Sequence, residues 1–217
     1  QAEDGIRDLV RSRGLGDVYK RQQEKRAGMG IDADAKVITT IGPFKKQKNL
    51  SDFIIVSNLV RTRKSAKYKF IIIGDGEERP RLNVLAELLG LKDDVLFLGW
   101  LAPKDVAEVL KISDVFVMTS LWEGLPRAVL EAFASGVPVC ANAVDGVKDV
   151  VISSKTGLLT EPFNTSGMAD NVLKILDDKE LRAQIVQNAK NVLDRSFDID
   201  YMVRQQEEMY QQVENRE

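Results

Sequence analysis

The chain has 217 residues, of which 44% are hydrophobic and 29% are charged, a composition typical of a globular protein with one or two domains. Its 31 basic and 33 acidic side chains give a formal net charge of −2, which argues against a nucleic-acid-binding protein. It contains no histidine and a single cysteine, so a Ser-His-Asp triad, His-liganded zinc and a disulfide within the chain are excluded.

Residues 1–22 differ from the rest of the chain, because they combine scattered glycines and charges with little periodicity. This segment resembles a translated sequencing-library adaptor. We therefore interpret it as a non-native leader, disordered or irregular, and expect the native domain to span residues 23–217.

From Ala35 onward, short apolar strands alternate with helical segments of about ten residues. The strands are predicted at Lys36–Ile41, Tyr68–Ile73, Val95–Leu98, Val115–Met118 and Val137–Ala141. The helices between them are predicted at 50–63, 78–89, 103–112 and 126–135. This alternation predicts an α/β fold with a doubly wound, Rossmann-like parallel sheet. After Gly157-Leu-Leu159 we expect only helices, at 166–176, 179–193 and 200–213.

Glycine-containing or polar loops follow the predicted strands, and they should all lie along the carboxyl edge of the sheet, where open α/β sheets bind ligands. Gly42 and Gly74 allow the backbone to approach a ligand closely, and Lys48 offers a positive charge to phosphates. Turn geometry alone is the simpler interpretation for either glycine taken singly.

The segment Gly74-x-Gly76-x-x-Arg79 imitates a dinucleotide-binding fingerprint but does not satisfy it. The third position is Arg79, where close helix packing requires a small residue. An NAD-dependent oxidoreductase is therefore not expected.

Two carboxylates, Glu123 and Glu131, lie eight positions apart across a predicted loop-to-helix junction. With Pro126 as the first helical residue, the free backbone N–H groups near Gly124 should favour a bound phosphate. The flanking carboxylates are suited to accept hydrogen bonds from sugar hydroxyls, which suggests a sugar nucleotide. Taken alone, Glu123 is also compatible with a residue that only complements the helix dipole, and Glu131 with an ordinary surface residue.

The same segment resembles the donor-binding signature of retaining glycosyltransferases of family 4. The similarity extends over residues 25–213 and rests on Asp114-Val-Phe-Val117, Glu123-x7-Glu131 and Ala134-Ser-Gly-Val-Pro-Val139. Further matches are Thr39-Thr-Ile-Gly42 with Lys48-Asn49, Phe70-Ile-Ile-Ile-Gly-Asp-Gly76, Val95-Leu-Phe-Leu-Gly99 and Gly157-Leu-Leu159.

The resemblance implies a role for each matching residue. Glu123 would contact the donor sugar, Glu131 the ribose hydroxyls and Lys48 the diphosphate, while Gly124, Leu125 and Pro126 would form the loop around the sugar and phosphates. Glu123 and Lys48 are thus the candidate catalytic residues, and Gly42, Gly74, Gly124, Leu125, Pro126 and Glu131 the candidate donor-binding residues.

The sequence departs from the family pattern at two places. Pro43 stands where the family usually has an arginine on the diphosphate, so Lys45, Lys46 or Arg127 would have to substitute for it. In residues 146–149 the family typically has a proline followed by a glutamate, whereas this chain ends the segment with Asp149.

By resemblance, the chain is one half of a GT-B fold, the donor-binding domain, and lacks the N-terminal acceptor domain. The expected activity is retaining transfer from a nucleoside diphosphate sugar to an unknown saccharide or lipid-linked acceptor, without metal or cofactor. The fragment should be inactive alone. A cytoplasmic location is expected, with peripheral association at the inner membrane face left open, and no nucleic-acid partner. A nucleotide-sugar epimerase and a non-catalytic sugar-nucleotide-binding module are the alternatives.

Overall fold

The structure, a computed structural model, describes residues 20–193 and residues 203, 204, 207 and 208. In this part of the chain, six strands form one sheet in which all neighbouring strands are parallel. The strands are β1 (Lys36–Ile41), β2 (Tyr68–Ile73), β3 (Val95–Gly99), β4 (Val115–Met118), β5 (Val139–Asn142) and β6 (Leu158–Thr160).

Helices connect the strands and follow the last of them. They are α1 (20–28), α2 (Leu50–Arg63), α3 (Arg79–Leu88), α4 (Pro103–Leu110), α5 (Arg127–Ala134), α6 (Val147–Val150), α7 (Thr165–Asp177) and α8 (Lys179–Val192). A short 3-10 helix, Lys46–Lys48, precedes α2. Among the described helices, none combines the length and apolar character needed to cross a membrane.

The strand order is β3-β2-β1-β4-β5-β6, so the direction of strand addition reverses between β1 and β4. The chain builds β1, β2 and β3 outward on one side and then returns to place β4 against β1, with Ile38 opposite Val115. This is a doubly wound, Rossmann-like α/β sheet, as predicted. A crevice forms at such a reversal, outside the carboxyl ends of the two strands.

Both faces of the sheet are buried, which explains why its strands are continuously apolar. On one face, Val115 and Val117 of β4 belong to a core shared with α2 and α7. On the other face, Phe116 and Met118 belong to a core shared with α4 and α5. Cys140 of β5 is fully buried in the first core, and this burial raises the pKa of its thiol, so Cys140 is a core residue.

The edge strand β6, Leu158–Thr160, lies beside β5 and was not predicted, whereas the helices predicted at 166–176 and 179–193 are present as α7 and α8. The one-turn helix α6, Val147–Val150, was also not predicted. Both elements are too short to show a hydrophobic period in the sequence, and β6 is stabilised by its pairing with β5.

The remaining boundaries agree with the predictions to within about two residues. Helix α5 begins one residue later than predicted, because Pro126, with φ −79° and ψ 73°, is the N-cap and Arg127 is the first helical residue. The predicted helix 200–213 lies outside the described residues except for 203, 204, 207 and 208, which are helical.

The predicted leader lies largely outside the described residues, which begin at residue 20. Residues 20–22 belong to α1, and the Gln22 side-chain Nε2 donates a hydrogen bond to the Lys111 carbonyl at 2.8 Å. The boundary at residue 22 stays a prediction.

Candidate functional site

A cavity of about 420 Å³ lies at the carboxyl edge of the sheet, beside the ends of β1 and β4. It is therefore placed at the reversal of strand order, where the loops after two neighbouring strands separate. Its described lining residues are Ile41, Gly42, Pro43, Lys48, Ile73, Gly74, Trp100, Leu101, Pro103, Val106, Met118, Glu123, Leu125, Arg127, Ala128 and Glu131.

Lys48 reaches the cavity from the loop after β1. It ends the short 3-10 helix, and Asn49 in the left-handed region, with φ 45°, turns the chain into α2. The aliphatic stem of Lys48 lies over Gly42, since a Cβ atom on Gly42 would be 3.1 Å from its Cγ, Cδ and Cε atoms. Gly42 therefore leaves room for the lysine stem to cross the loop.

Lys48 and Glu123 form a mostly buried ion pair. The Lys48 Nζ atom lies 2.5 Å from Glu123 Oε1, and the two side chains are 15% and 8% exposed. These residues are 75 positions apart in the chain and meet because β4 pairs directly with β1. The candidate diphosphate ligand and the candidate sugar ligand are thus in direct contact.

The loop after β4 is tied to the loop after β1 by several further hydrogen bonds. The Leu121 N–H donates to the Gln47 carbonyl at 2.8 Å, and the Gln47 side-chain Nε2 donates to the Trp122 carbonyl at 2.8 Å. The Thr119 hydroxyl donates to the Lys48 carbonyl at 3.0 Å. These contacts hold the two loops together and so keep Glu123 beside Lys48.

Gly146, in the loop after β5, packs against the same loop. Its φ is +75°, and a Cβ atom there would lie 1.8 Å from the Gly124 carbonyl oxygen and 2.6 Å from that of Glu123. The backbone that carries Glu123 is therefore supported by a residue without a side chain.

Glu131 lines the cavity from the first turns of α5 and is half-buried. Among the described residues, no hydrogen bond or ion pair to its carboxylate is present. Within residues 20–193, the backbone N–H groups of Gly124 and Leu125 likewise donate to no other backbone carbonyl. A carboxylate acceptor and backbone donors are thus available to a ligand at the start of α5.

Gly74 has a structural reason for its position. Its φ is +127°, and a Cβ atom would lie 2.1 Å from the Gly42 carbonyl oxygen, so the loops after β1 and β2 can touch only if residue 74 is a glycine. Both glycines form part of the cavity wall through this close approach.

Of the eight candidate residues, the structure brings six to the cavity and leaves two beside it. Gly42, Gly74, Lys48, Glu123, Leu125 and Glu131 line it. Gly124 is exposed and contacts Gly146, and Pro126 is buried at the start of α5. Arg127 also lines the cavity, whereas Lys45 and Lys46 are exposed outside it, and Asp149 is exposed.

Sequence reasoning did not identify the apolar wall of the cavity. Trp100 and Leu101 follow β3, Pro103 and Val106 begin α4, and Met118 ends β4. The sequence places Trp100 at this edge because it follows a predicted strand, but no local pattern shows that these apolar side chains form one wall.

The cavity, the sheet order and the residues that meet at the β1/β4 reversal can be compared with known proteins. The sequence model of the family described as glycosyl transferases group 1 matches residues 21–192. The chain belongs to this family. Among the described residues of this group 1 glycosyl transferase, no cluster of three or more acidic or cysteine side chains could hold a metal ion.

Two curated relatives of this group 1 glycosyl transferase show the range of the similarity. N-acetyl-alpha-D-glucosaminyl L-malate synthase of Bacillus anthracis is 33% identical over 184 residues, which cover 85% of this chain and 47% of the relative. A UDP-Gal:alpha-D-GlcNAc-diphosphoundecaprenol alpha-1,3-galactosyltransferase of Escherichia coli is 31% identical over 189 residues, covering 84% and 47%. The chain spans about half the length of these relatives.

The fold has solved counterparts. A single-residue mutant of S. aureus TarM, solved with Fondaparinux, alpha-GlcNAc-glycerol and UDP, superposes with a TM-score of 0.72 at 25% identity. The superposition covers 78% of this chain and 34% of TarM.

Proposed function

We propose that this chain is the donor-binding domain of a retaining, metal-independent glycosyltransferase that uses a nucleoside diphosphate sugar. The observation that carries the proposal is the meeting of Lys48, Glu123 and Glu131 around one cavity at the β1/β4 reversal. A cation, two carboxylates and an apolar wall correspond to the phosphates, hydroxyls and base of such a donor.

Each part of the donor has a counterpart in the cavity. In this proposal the diphosphate lies near Lys48 and the free backbone N–H groups at the start of α5, the sugar near Glu123, and the ribose near Glu131. Glu131 is four residues beyond Arg127, or about 6 Å along the helix axis, which separates ribose from phosphates. The base then lies against the apolar wall beside Trp100.

Catalysis would consist mainly of positioning and of stabilising the leaving group. The bond between the sugar C1 and the β-phosphate oxygen breaks, and an acceptor hydroxyl oxygen bonds to C1 on the same face and gives its proton to the departing phosphate. Lys48 and the backbone N–H groups favour this step because they donate hydrogen bonds to the diphosphate oxygens on which charge develops. Because the departing phosphate accepts the proton, the step needs no histidine as general base, and the chain contains none.

The names of a relative and of a solved counterpart support a nucleoside diphosphate sugar as donor and a saccharide or lipid-linked acceptor. One relative is a galactosyltransferase whose name gives UDP-Gal as donor and a diphosphoundecaprenol-linked acceptor, and TarM was solved with UDP. By analogy, we propose that this protein uses a nucleoside diphosphate sugar as donor and a saccharide or lipid-linked molecule as acceptor.

The test is donor affinity in Glu131→Ala. First, UDP, GDP and ADP are titrated against the unmodified chain by calorimetry to find which binds. A hydrogen bond to a charged acceptor contributes about 1.5 to 3 kcal/mol, so Glu131→Ala should weaken nucleoside diphosphate binding about tenfold or more. Glu161→Ala, an exposed carboxylate after β6 that does not line the cavity, is the matched control.

Failure of all three nucleotides to bind would overturn the proposed function. Equal nucleoside diphosphate affinities of the Glu131→Ala and Glu161→Ala variants would show that Glu131 does not contact the nucleotide. Binding without transfer by a longer parent protein would favour the non-catalytic binding module.

A further inference from the structure

The cavity contains two cationic side chains among the described residues that line it, Lys48 and Arg127. It also contains two carboxylates, Glu123 and Glu131, so its formal charge is balanced. A diphosphate carries at least two negative charges and therefore requires a cation that is not already committed to a carboxylate. The two cations differ in this respect.

The charge of Lys48 is already committed. Its Nζ atom is 2.5 Å from Glu123, and both side chains are largely removed from water, which strengthens their attraction. A phosphate that approaches Lys48 must compete with this carboxylate, and it is also repelled by it. Lys48 can still donate a hydrogen bond, but the pair adds little net positive charge.

Arg127, unlike Lys48, has no carboxylate partner among the described residues. It lines the cavity with its side chain exposed, and among the described residues it forms no ion pair or side-chain hydrogen bond. Glu131 lies one turn further along α5 on the same cavity, yet the two side chains are not within ion-pair distance. Its guanidinium is free to bind two phosphate oxygens at once.

The position of Arg127 also argues against a purely structural role. It is the first residue of α5, at the helix N-terminus, where the helix dipole disfavours a positive charge. An arginine there weakens the helix slightly, unless an anion lies beside it. A bound phosphate at this terminus would reverse the sign of that effect.

We propose that Arg127 is the cation that binds the donor diphosphate and sets the preference for a nucleoside diphosphate over the nucleoside, while Glu123 holds Lys48 in place. This inference rests on the proposed function, since it assigns a ligand within the same cavity. It makes Glu123 a positioning residue for Lys48 before the sugar arrives.

The experiment compares Arg127→Gln with Lys45→Gln in the full chain. Lys45 is an exposed cation in the loop after β1 that does not line the cavity, so it controls for general electrostatic attraction. Calorimetry is performed with whichever of UDP, GDP or ADP binds the unmodified chain, and with the matching nucleoside. Circular dichroism and the thermal midpoint verify that both variants fold.

Arg127→Gln should weaken nucleoside diphosphate binding about tenfold or more and leave nucleoside affinity within about twofold. Lys45→Gln should change both affinities by less than about twofold, and Arg127→Lys should recover part of the loss because it restores the charge without the planar fork. Binding of the diphosphate should also depend less on salt in Arg127→Gln than in the unmodified chain.

Three results would overturn the inference while leaving the proposed function intact. They are unchanged diphosphate affinity in Arg127→Gln, an equal loss for diphosphate and nucleoside, and an equal loss in Lys45→Gln. Absence of any nucleotide binding by the unmodified chain would instead overturn the proposed function.

Discussion

Two residues without side chains determine how the loops of the site meet. Gly42 leaves room for the aliphatic stem of Lys48. Gly146 packs directly against the backbone of Glu123 and Gly124. Neither glycine contributes a chemical group, but a Cβ atom on Gly42 would meet the Lys48 side chain of its own loop, and one on Gly146 would meet the backbone of the loop after β4. The geometry of the Lys48–Glu123 pair therefore depends on them.

Gly146→Ala should damage donor binding more than stability. A residue with a side chain at φ +75° costs about 1 to 2 kcal/mol of folding free energy, and the new Cβ atom would also displace the Gly124 carbonyl. Gly30→Ala is the control, because Gly30 has φ +66° with nothing within 4 Å of its Cβ position. In urea denaturation Gly146→Ala should lose more stability than Gly30→Ala, because the displaced carbonyl adds to the same backbone cost.

Only Gly146→Ala should weaken nucleoside diphosphate sugar binding in calorimetry, by about tenfold or more, since it moves the loop that carries Glu123. Equal binding by the two alanine variants would show that the loop after β4 keeps its position without support from Gly146.

Much of the site was predictable at this scale, but the contacts within it were not. The strand-loop-helix pattern placed Lys48, Glu123 and Glu131 at one edge of the sheet, and the cavity brings them together. The ion pair between Lys48 and Glu123 depends on β1 and β4 being neighbours, a long-range pairing that no local pattern encodes. Arg127 was named as a possible phosphate ligand and Trp100 follows a predicted strand, but no local pattern shows that either side chain lines the cavity.

At the level of elements, a buried aspartate ties two helices to the amino ends of two strands. Asp114, just before β4, accepts a hydrogen bond from the Val37 N–H at 2.9 Å and pairs with Arg26 of α1 at 3.1 Å. Arg182 of α8 lies 3.6 Å from its other oxygen. The network lies at the amino edge of the sheet, opposite the cavity, so its role is structural.

Asp114→Ala should lower the free energy of unfolding by about 3 to 5 kcal/mol, because it leaves the mostly buried Arg26 without its carboxylate. Asp170→Ala removes a surface partner of Arg63, at 2.5 Å but with the aspartate side chain 67% exposed, and should cost less than about 1 kcal/mol. Urea denaturation measures both. A similar, small loss in the two variants would show that α1 and α8 are held mainly by apolar packing.

The elements themselves were predicted where they are long and apolar. Strands β1, β2 and β4 and helix α2 have the predicted bounds, since each has a clear apolar run or helical period. Strand β6 and helix α6 did not appear in the prediction because three or four residues cannot show a period, and β6 depends on its partner β5.

At the scale of the whole molecule, the cavity lies on an open surface of the part of the chain that the structure describes. Trp100, Trp122 and Leu125, at the mouth of the cavity or beside it, are 68%, 57% and 50% exposed. The strand alternation predicted the doubly wound sheet and its binding edge. It could not predict how exposed this edge is, because exposure depends on residues that are not in the sheet.

This openness predicts binding without transfer by the chain as it stands. The groups proposed to hold the donor all belong to one sheet edge, so a nucleoside diphosphate should bind with a measurable but weak affinity. Transfer also requires an acceptor held in line with the donor and a site from which water is excluded, and the exposed mouth provides neither. Calorimetry should therefore detect the nucleotide, while a radiolabelled-sugar assay with saccharide and lipid-linked acceptors detects no product. Sugar transfer by the purified 217-residue chain would show instead that this cavity is sufficient to orient both substrates, and that a facing domain is not required for the reaction.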